Sequence, residues 1–263
     1  MKILKLGLAG SLGTSSTGSG IVPSDITGLD AWFKFNKDIV GADGGSSNDG
    51  DMADGEDINS WGDQSGNARN ASQSTASKKP HWDTTPADLG GLRWTDDTAD
   101  PSLNMASNVS IGANEDFTVM VRVKLSDFTT DMALLGSASK HLIKWTSDTR
   151  VGVFIGGNNP IAAFEETGGD DIATDTYYIH TLTRSNGATG NLKYHVHGGS
   201  FNDKSWDDSE NHTDADAFII NNIGVGNDNT LPIEGVFKDV IIWKGTALTE
   251  EQRLGVFAYI DAQ

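Results

Sequence analysis

No cysteine occurs in the 263 residues, which excludes a disulfide framework, a thiolate metal site and a cysteine nucleophile. Basic residues are scarce: 19 Lys and Arg stand against 37 Asp and Glu, a formal net charge of −18. A surface of that sign repels a phosphate backbone, so sequence-independent nucleic-acid binding is excluded. Long apolar runs are missing too, and nothing approaches the roughly 18 residues of a membrane-spanning helix, so no membrane partner is expected. Proline is limited to 6 residues. Glycine is plentiful, with 31 residues, and 7 Trp and 10 Phe supply anchors for a core. This is the composition of a turn-rich β protein.

The first residues, MKILKLGLAGSLGTSSTGSG, begin like a secretory signal, but Lys5 interrupts the apolar stretch and Leu6 to Gly10 is too short for its core. They read instead as an extended N-terminal arm, residues 1–24, with Lys2, Ile3, Leu4, Lys5, Leu6 and Leu8 as its docking residues. The arm has no acid, so it suits an acidic partner surface; packing on its own domain is the alternative. The body is expected to run from 25 to 263, with an acidic Gly/Asp-rich insertion at about 41–58.

Period-two alternation is clearest in 117–125, FTVMVRVKL, where Phe117, Val119, Val121, Val123 and Leu125 share one face. Shorter strand patterns recur at 29–35, 151–155, 177–183, 192–197, 218–224 and 236–243, separated by Gly, Asn and Pro turns. Near the end, Thr249-Glu250-Glu251-Gln252 is a capping box that predicts a short helix, its inward face drawn from Leu254, Phe257, Ala258 and Tyr259 or Ile260. The expected class is all-β, a two-sheet antiparallel sandwich closed by a short C-terminal helix.

Trp61-Gly62-Asp63-Gln64-Ser65-Gly66-Asn67 followed by Ala71 resembles the W-x-D-x-S-G-N … A signature of laminin-G-like, or concanavalin A-like, jelly-roll domains. Pro80-His81-Trp82, Gly91-Leu92-Arg93-Trp94, Asn222-Ile223-Gly224 and the run Gly235 to Trp243 with Leu248-Thr249 follow in the family's order. The resemblance implies a jelly roll. Together with the arm, it resembles virion structural proteins of tailed phages of marine bacteria (cyanophage-like). On that basis a non-enzymatic component of the particle surface is expected, capsid decoration or tail. Its arm would dock on the major capsid or tail protein, self-association is possible, and the sandwich would face host-surface glycans.

Three clusters carry possible chemistry. Asp49, Asp51, Asp54 and Glu56, among Asp43, Asp57 and four glycines, could supply the oxygen shell of a hard cation such as Ca²⁺; no other cofactor is implied, and a solvated loop is the alternative. Trp206, Asp207 and Asp208, in the acidic stretch 203–216, suggest an exposed ring that stacks on a sugar with carboxylates to bind its hydroxyls. The alternative is a Trp that packs back on the domain. His195-x-His197 puts two imidazoles on one strand face, compatible with a metal or with a solvated strand end. Glycosidase carboxyls would have to lie about 5–10 Å apart. No strand carries the E-x-D-x-x-E pattern of the glucanases of this fold, so a β-glucanase is the weakest reading and enzyme activity is not expected. A lectin-like, Ca²⁺-dependent carbohydrate-binding module is the alternative to the virion role.

Overall fold

The computed structural model describes residues 20–48, 50–84, 90–95, 101–128, 131–137, 141–156, 161–167, 172–185, 192–208, 216–224, 231 and 233–263. Residues 1–19, which hold all six docking residues of the arm, lie outside them. The strands are β1 Leu29–Phe33, β2 Ile39–Gly41, β3 Ile58–Trp61, β4 Ala71–Ser72, β5 His81–Trp82, β6 Leu92–Trp94, β7 Leu103–Ile111, β8 Phe117–Leu125 and β9 Met132–Ser137. They continue with β10 His141–Ser147, β11 Arg150–Phe154, β12 Ala162–Glu165, β13 Tyr177–Arg184, β14 Leu192–Gly198, β15 Phe201–Asp208, β16 Phe218–Ile223 and β17 Gly235–Lys244. One helix, α1 (Glu250–Asp261), follows.

All pairings are antiparallel and form two sheets, the sandwich the sequence predicts. In the first, β17 is flanked on one side by β8 and on the other by β1 and β6, with β5 beyond β6. From β8 the sheet continues through β13 and β14 to β15. The second runs β2-β3-β4-β7-β16-β9-β10-β11-β12. Strand β15 belongs to both: its residues from Phe201 to Trp206 pair with β14, and Asp207 and Asp208 pair with Glu165 and Phe164 of β12. The stretch 203–216, read from sequence as an acidic loop, therefore begins as the strand that joins the sheets along one side.

The core lies between the sheets. Phe117, Val119, Val121, Val123 and Leu125 of β8 meet Trp145, Val151, Val153 and Phe164 of the opposite sheet. Full burial of a large apolar side chain stabilises by about 1.5–3 kcal/mol, so this layer dominates stability. Strand β9 escaped the sequence reading because it is buried at all six positions and shows no alternation.

A second apolar layer forms on the outer face of the first sheet, where Trp32, Met120, Ile179, Ile241 and Trp243 receive Val256, Phe257 and Ile260 of α1. Twelve residues are too few for a helix to hold alone in water, so this contact stabilises it. The capping box is present: Thr249 accepts from the Gln252 N–H, and the Gln252 side chain accepts from the Thr249 N–H. The inward face is Arg253, Val256, Phe257 and Ile260, spaced i, i+3, i+4, i+7; the expected Leu254 is half-buried and Ala258 exposed. The chain enters the domain across this helix. The Ile21 N–H donates to the Gly255 carbonyl at 2.8 Å, and a Cβ at Gly255 would stand 2.5 Å from the Ile21 side chain. Ile21 and Val22 thus pack with the body.

Candidate functional site

The W-x-D-x-S-G-N motif is a structural staple. Asp63 accepts from the N–H groups of Trp32 (2.9 Å), Ser65 (2.9 Å) and Arg69 (3.0 Å) and from the Ser65 hydroxyl (2.8 Å). Trp61 donates Nε1–H to the Lys34 carbonyl, and Asn67 donates to the carbonyls of Leu29 and Asp30. The bonds with Trp32, Lys34, Leu29 and Asp30 tie this segment to β1, and those with Ser65 and Arg69 close the turn on itself.

The expected cation loop is used in the same way. Asp49 lies outside the described residues. Asp51 accepts from the Ser46 N–H at 2.8 Å, Asp54 from the Thr84 N–H at 3.0 Å, and Glu56 from the N–H groups of Asp43 and Ala53. These carboxylates satisfy separate backbone donors instead of facing a common centre. Among the described residues no group of three or more His, Cys, Asp or Glu is arranged to hold a metal.

The expected stacking ring is corrected. Trp206 is only 3% exposed and points into the sandwich, edge-on to Trp145. Successive residues of a strand face opposite sides, and on β15 it is the outer-facing neighbour Ser205 that meets solvent. Asp207 and Asp208 follow on β15, where the strand passes to the second sheet. Nearby, Glu165 of β12 pairs with Arg150 at 3.0 Å and Glu166 with Lys204.

His195 and His197 share the outer face of β14 but are drawn to different partners. His197 stacks on Phe257 with centroids 4.5 Å apart and holds Asp261 at 3.0 Å from its Nε2. His195 lies with Nδ1 3.5 Å from Asp203 Oδ1, while the carboxylate of Asp203 is clamped by Arg253 at 2.8 and 3.2 Å. Burial, and then the Arg253 charge, lowers the His195 pKa to about 4, so the ring is neutral at pH 7. The two histidines do not converge on a metal.

They mark instead two cavities, one at each end of α1. At the helix C-terminus a groove of about 360 Å³ is lined by Arg122, Tyr177, Ile179, His197, Phe201 and Asp261. Arg122 donates to the carbonyl of Ile260 at 3.0 Å, which fixes its guanidinium at the groove wall. Tyr177 is half-buried, with Arg122, Lys124 and Lys238 at 5.6, 5.6 and 4.4 Å from its ring. The turn that opens the groove requires glycine. Gly198 has φ 117°, and a Cβ there would stand 2.6 Å from the Tyr177 carbonyl; at Gly199 (φ 56°) it would stand 2.9 Å from the Tyr178 ring. The volume suits a small ligand, and a half-exposed ring beside planar charged groups offers stacking together with hydrogen bonding. The sequence carries a trace of this groove in Tyr177-Tyr178 and Gly198-Gly199, but the residues come together only through β8, β13, β14 and α1.

No protein-family model matches the sequence, and no curated protein does. Solved structures share the fold. An arabinofuranosidase complexed with arabinofuranosyl-alpha-1,2-xylobiose matches with TM-score 0.54 and 13% identity, over 89% of this chain and 59% of that one. A sialidase of Trypanosoma rangeli matches with TM-score 0.51 and 13% identity, over 90% of this chain and 33% of that one. Tailspike protein 2 of bacteriophage CBA120 gives TM-score 0.47 and 10% identity, over 68% of this chain and 29% of that one. The chain spans about a third of the sialidase. These findings overturn the expectation that enzyme activity is absent: the same sandwich occurs within a sialidase and an arabinofuranosidase, so the lack of a glucanase strand pattern is no ground for excluding an enzyme. At these identities the likeness is one of fold, and the fold is that of a β-sandwich found within carbohydrate-active chains.

Proposed function

We propose that this chain is a carbohydrate-recognising sandwich carried on a phage particle, with the glycan held in the groove at the C-terminus of α1. The observation that carries the reading is the groove itself. The half-exposed ring of Tyr177 stands beside Arg122, His197 and Asp261 in a space of about 360 Å³. A sugar presents C–H faces to an aromatic ring and hydroxyls that both donate and accept. Arg122 donates, Asp261 accepts, and both are already oriented by the helix end. The virion setting rests on the resemblance of the arm-plus-jelly-roll sequence. In this reading residues 1–24 tether the domain to a capsid or tail protein, and the groove faces the host.

A glycan array probed with the full chain tests the recognition. Saturable binding to at least one glycan is expected, weakened about tenfold or more by Tyr177→Ala and by Asp261→Ala and unchanged by EDTA. An array without signal, or binding untouched by both substitutions, overturns it. Removal of residues 1–20 with undiminished incorporation into particles would overturn the tether.

A further inference from the structure

Six adjacent strands of the second sheet, β2, β3, β4, β7, β16 and β9, contain no Asp, Glu, Lys, Arg or His. Every strand of the first sheet except β5 carries at least one charged residue. We propose that the outer face of the second sheet is a self-association surface, on which two copies of the chain pair about a two-fold axis. The inference is independent of the groove, which lies against α1 and the first sheet on the other side of the sandwich.

Alternation along the strands sets what this face presents. Trp61, Ala71, Met105 and Ile223 enter the core, so a row of their neighbours crosses the sheet on the outside. Val40, Ser60, Ser72, Asn104, Asn222 and Gly136 stand side by side in register on the six strands. Ser72 and Asn104 are exposed, and Val40, at 39%, is the most exposed large apolar side chain among the described residues. The helix α1 covers the outer face of the first sheet, and among the described residues no α-helix lies on this one.

Charge selects a second copy as the occupant. Two bodies of net charge −18 repel, and a face without charge is where they approach at least cost. About a two-fold axis a patch meets itself, so a net charge there would oppose its own image. Ser and Asn are free of that constraint, because a hydroxyl or an amide both donates and accepts and is complementary to its own kind. Depletion of charged residues is also the compositional mark of an interface centre. Strands β10, β11 and β12 extend the face with matched charges: Lys144 pairs with Asp131 at 2.6 Å and Arg150 with Glu165 at 3.0 Å. Strands of these lengths, about 4.8 Å apart with a rise of about 3.4 Å, make a face of roughly 750 Å². Each partner of a standard interface buries about 800 Å², so the face is large enough for a stable pair.

Sedimentation equilibrium of the full chain over about 1–500 µM measures the pairing. A reversible dimer is expected. It should tighten severalfold between about 0.05 and 0.5 M NaCl, since salt screens the repulsion of two acidic bodies. Ser72→Asp and Asn104→Asp, at exposed positions, should each weaken it about tenfold or more by setting a charge against its own image. Gln263→Glu, exposed beyond α1, adds the same charge elsewhere and should leave the dimer intact. The salt response belongs to the parent chain and stands even where a variant fails to fold. A chain that stays monomeric over this range overturns the proposal, as does a dimer that loosens with salt or withstands both substitutions on the face. If the monomer instead binds an uncharged glycan that Asn104→Asp abolishes and Tyr177→Ala does not, the face belongs to that ligand and the dimer is overturned. Failure of the groove shows in the glycan array and leaves the dimer untouched, so the two outcomes are separable.

Discussion

Trp206 meets Trp145 edge-on, with ring centroids 5.6 Å apart and planes at 90°, at the place where β15 passes from one sheet to the other. The contact explains why a tryptophan is set among acids. Its ring closes the side of the core, and its neighbour Ser205 faces outward. Trp206→Ala should therefore destabilise the fold by about 3–5 kcal/mol through an unfilled cavity. Urea denaturation measures it. Stability close to that of the parent chain, together with loss of glycan binding, would return the ring to a recognition role.

Asp63→Ala removes the acceptor of four hydrogen bonds in the turn after β3. The donors it abandons are the N–H groups of Trp32, Ser65 and Arg69, and bonds to a charged acceptor are worth about 1.5–3 kcal/mol each without being additive. A total loss of about 3 kcal/mol is expected in chemical denaturation, and Asp63→Asn should retain part of it. Binding in the groove, whose lining includes none of these residues, should be unchanged in the folded variant.

His180 is 3% exposed inside the sandwich, edge-on to Trp145 at 5.0 Å, and burial lowers its pKa to about 3. Below the ordinary value of about 6.5 the unfolded chain takes up a proton that the native ring refuses. The stability owed to the neutral ring is thus complete above pH 6.5 and is lost as pH falls toward 3. His180→Phe should flatten the decline of stability over that interval by a few kcal/mol, read as the difference in denaturation midpoints between pH 7 and pH 4. An identical acid limb in both proteins would contradict it.

Asp239 carries the opposite sign. It is 2% exposed, and burial raises its pKa to about 6 even though Arg122, Lys34 and Lys238 pull the other way. Between 3.8 and 6 the native carboxyl holds a proton that the unfolded one has lost, so its contribution is present at acid pH and disappears as pH rises through 6. Asp239→Asn keeps an oxygen for the Phe35 N–H, which Asp239 accepts at 3.3 Å. The variant should match the parent near pH 4 and exceed it at pH 8 by on the order of 2 kcal/mol. Equal stability at both values would rule this out.

The clearest strand was legible because one of its faces is apolar and the other largely polar. In β8 the odd positions from Phe117 to Leu125 enter the core as the alternation requires. The capping box was equally legible, since its bonds lie within four residues. Strand β15 was not, because its outward Asn202, Asp203 and Ser205 hide a strand whose inward residues are Phe201 and Trp206. Acidity alone does not distinguish a loop from a strand that exposes one face.

The sequence by itself determined an acidic, cysteine-free, all-β sandwich and the position of its helix, since alternation, turn residues and caps are local signals. The tertiary structure decided what the polar residues do. It turned the motif of residues 61–67 into a staple, carboxylates of the expected cation loop into acceptors for backbone N–H groups, and Trp206 into core. It also separated His195 from His197 and placed a cavity beside each. Those outcomes depend on which strands lie side by side and on where α1 lands, and pairings between residues as distant as Asp203 and Arg253 leave no period in the sequence to read.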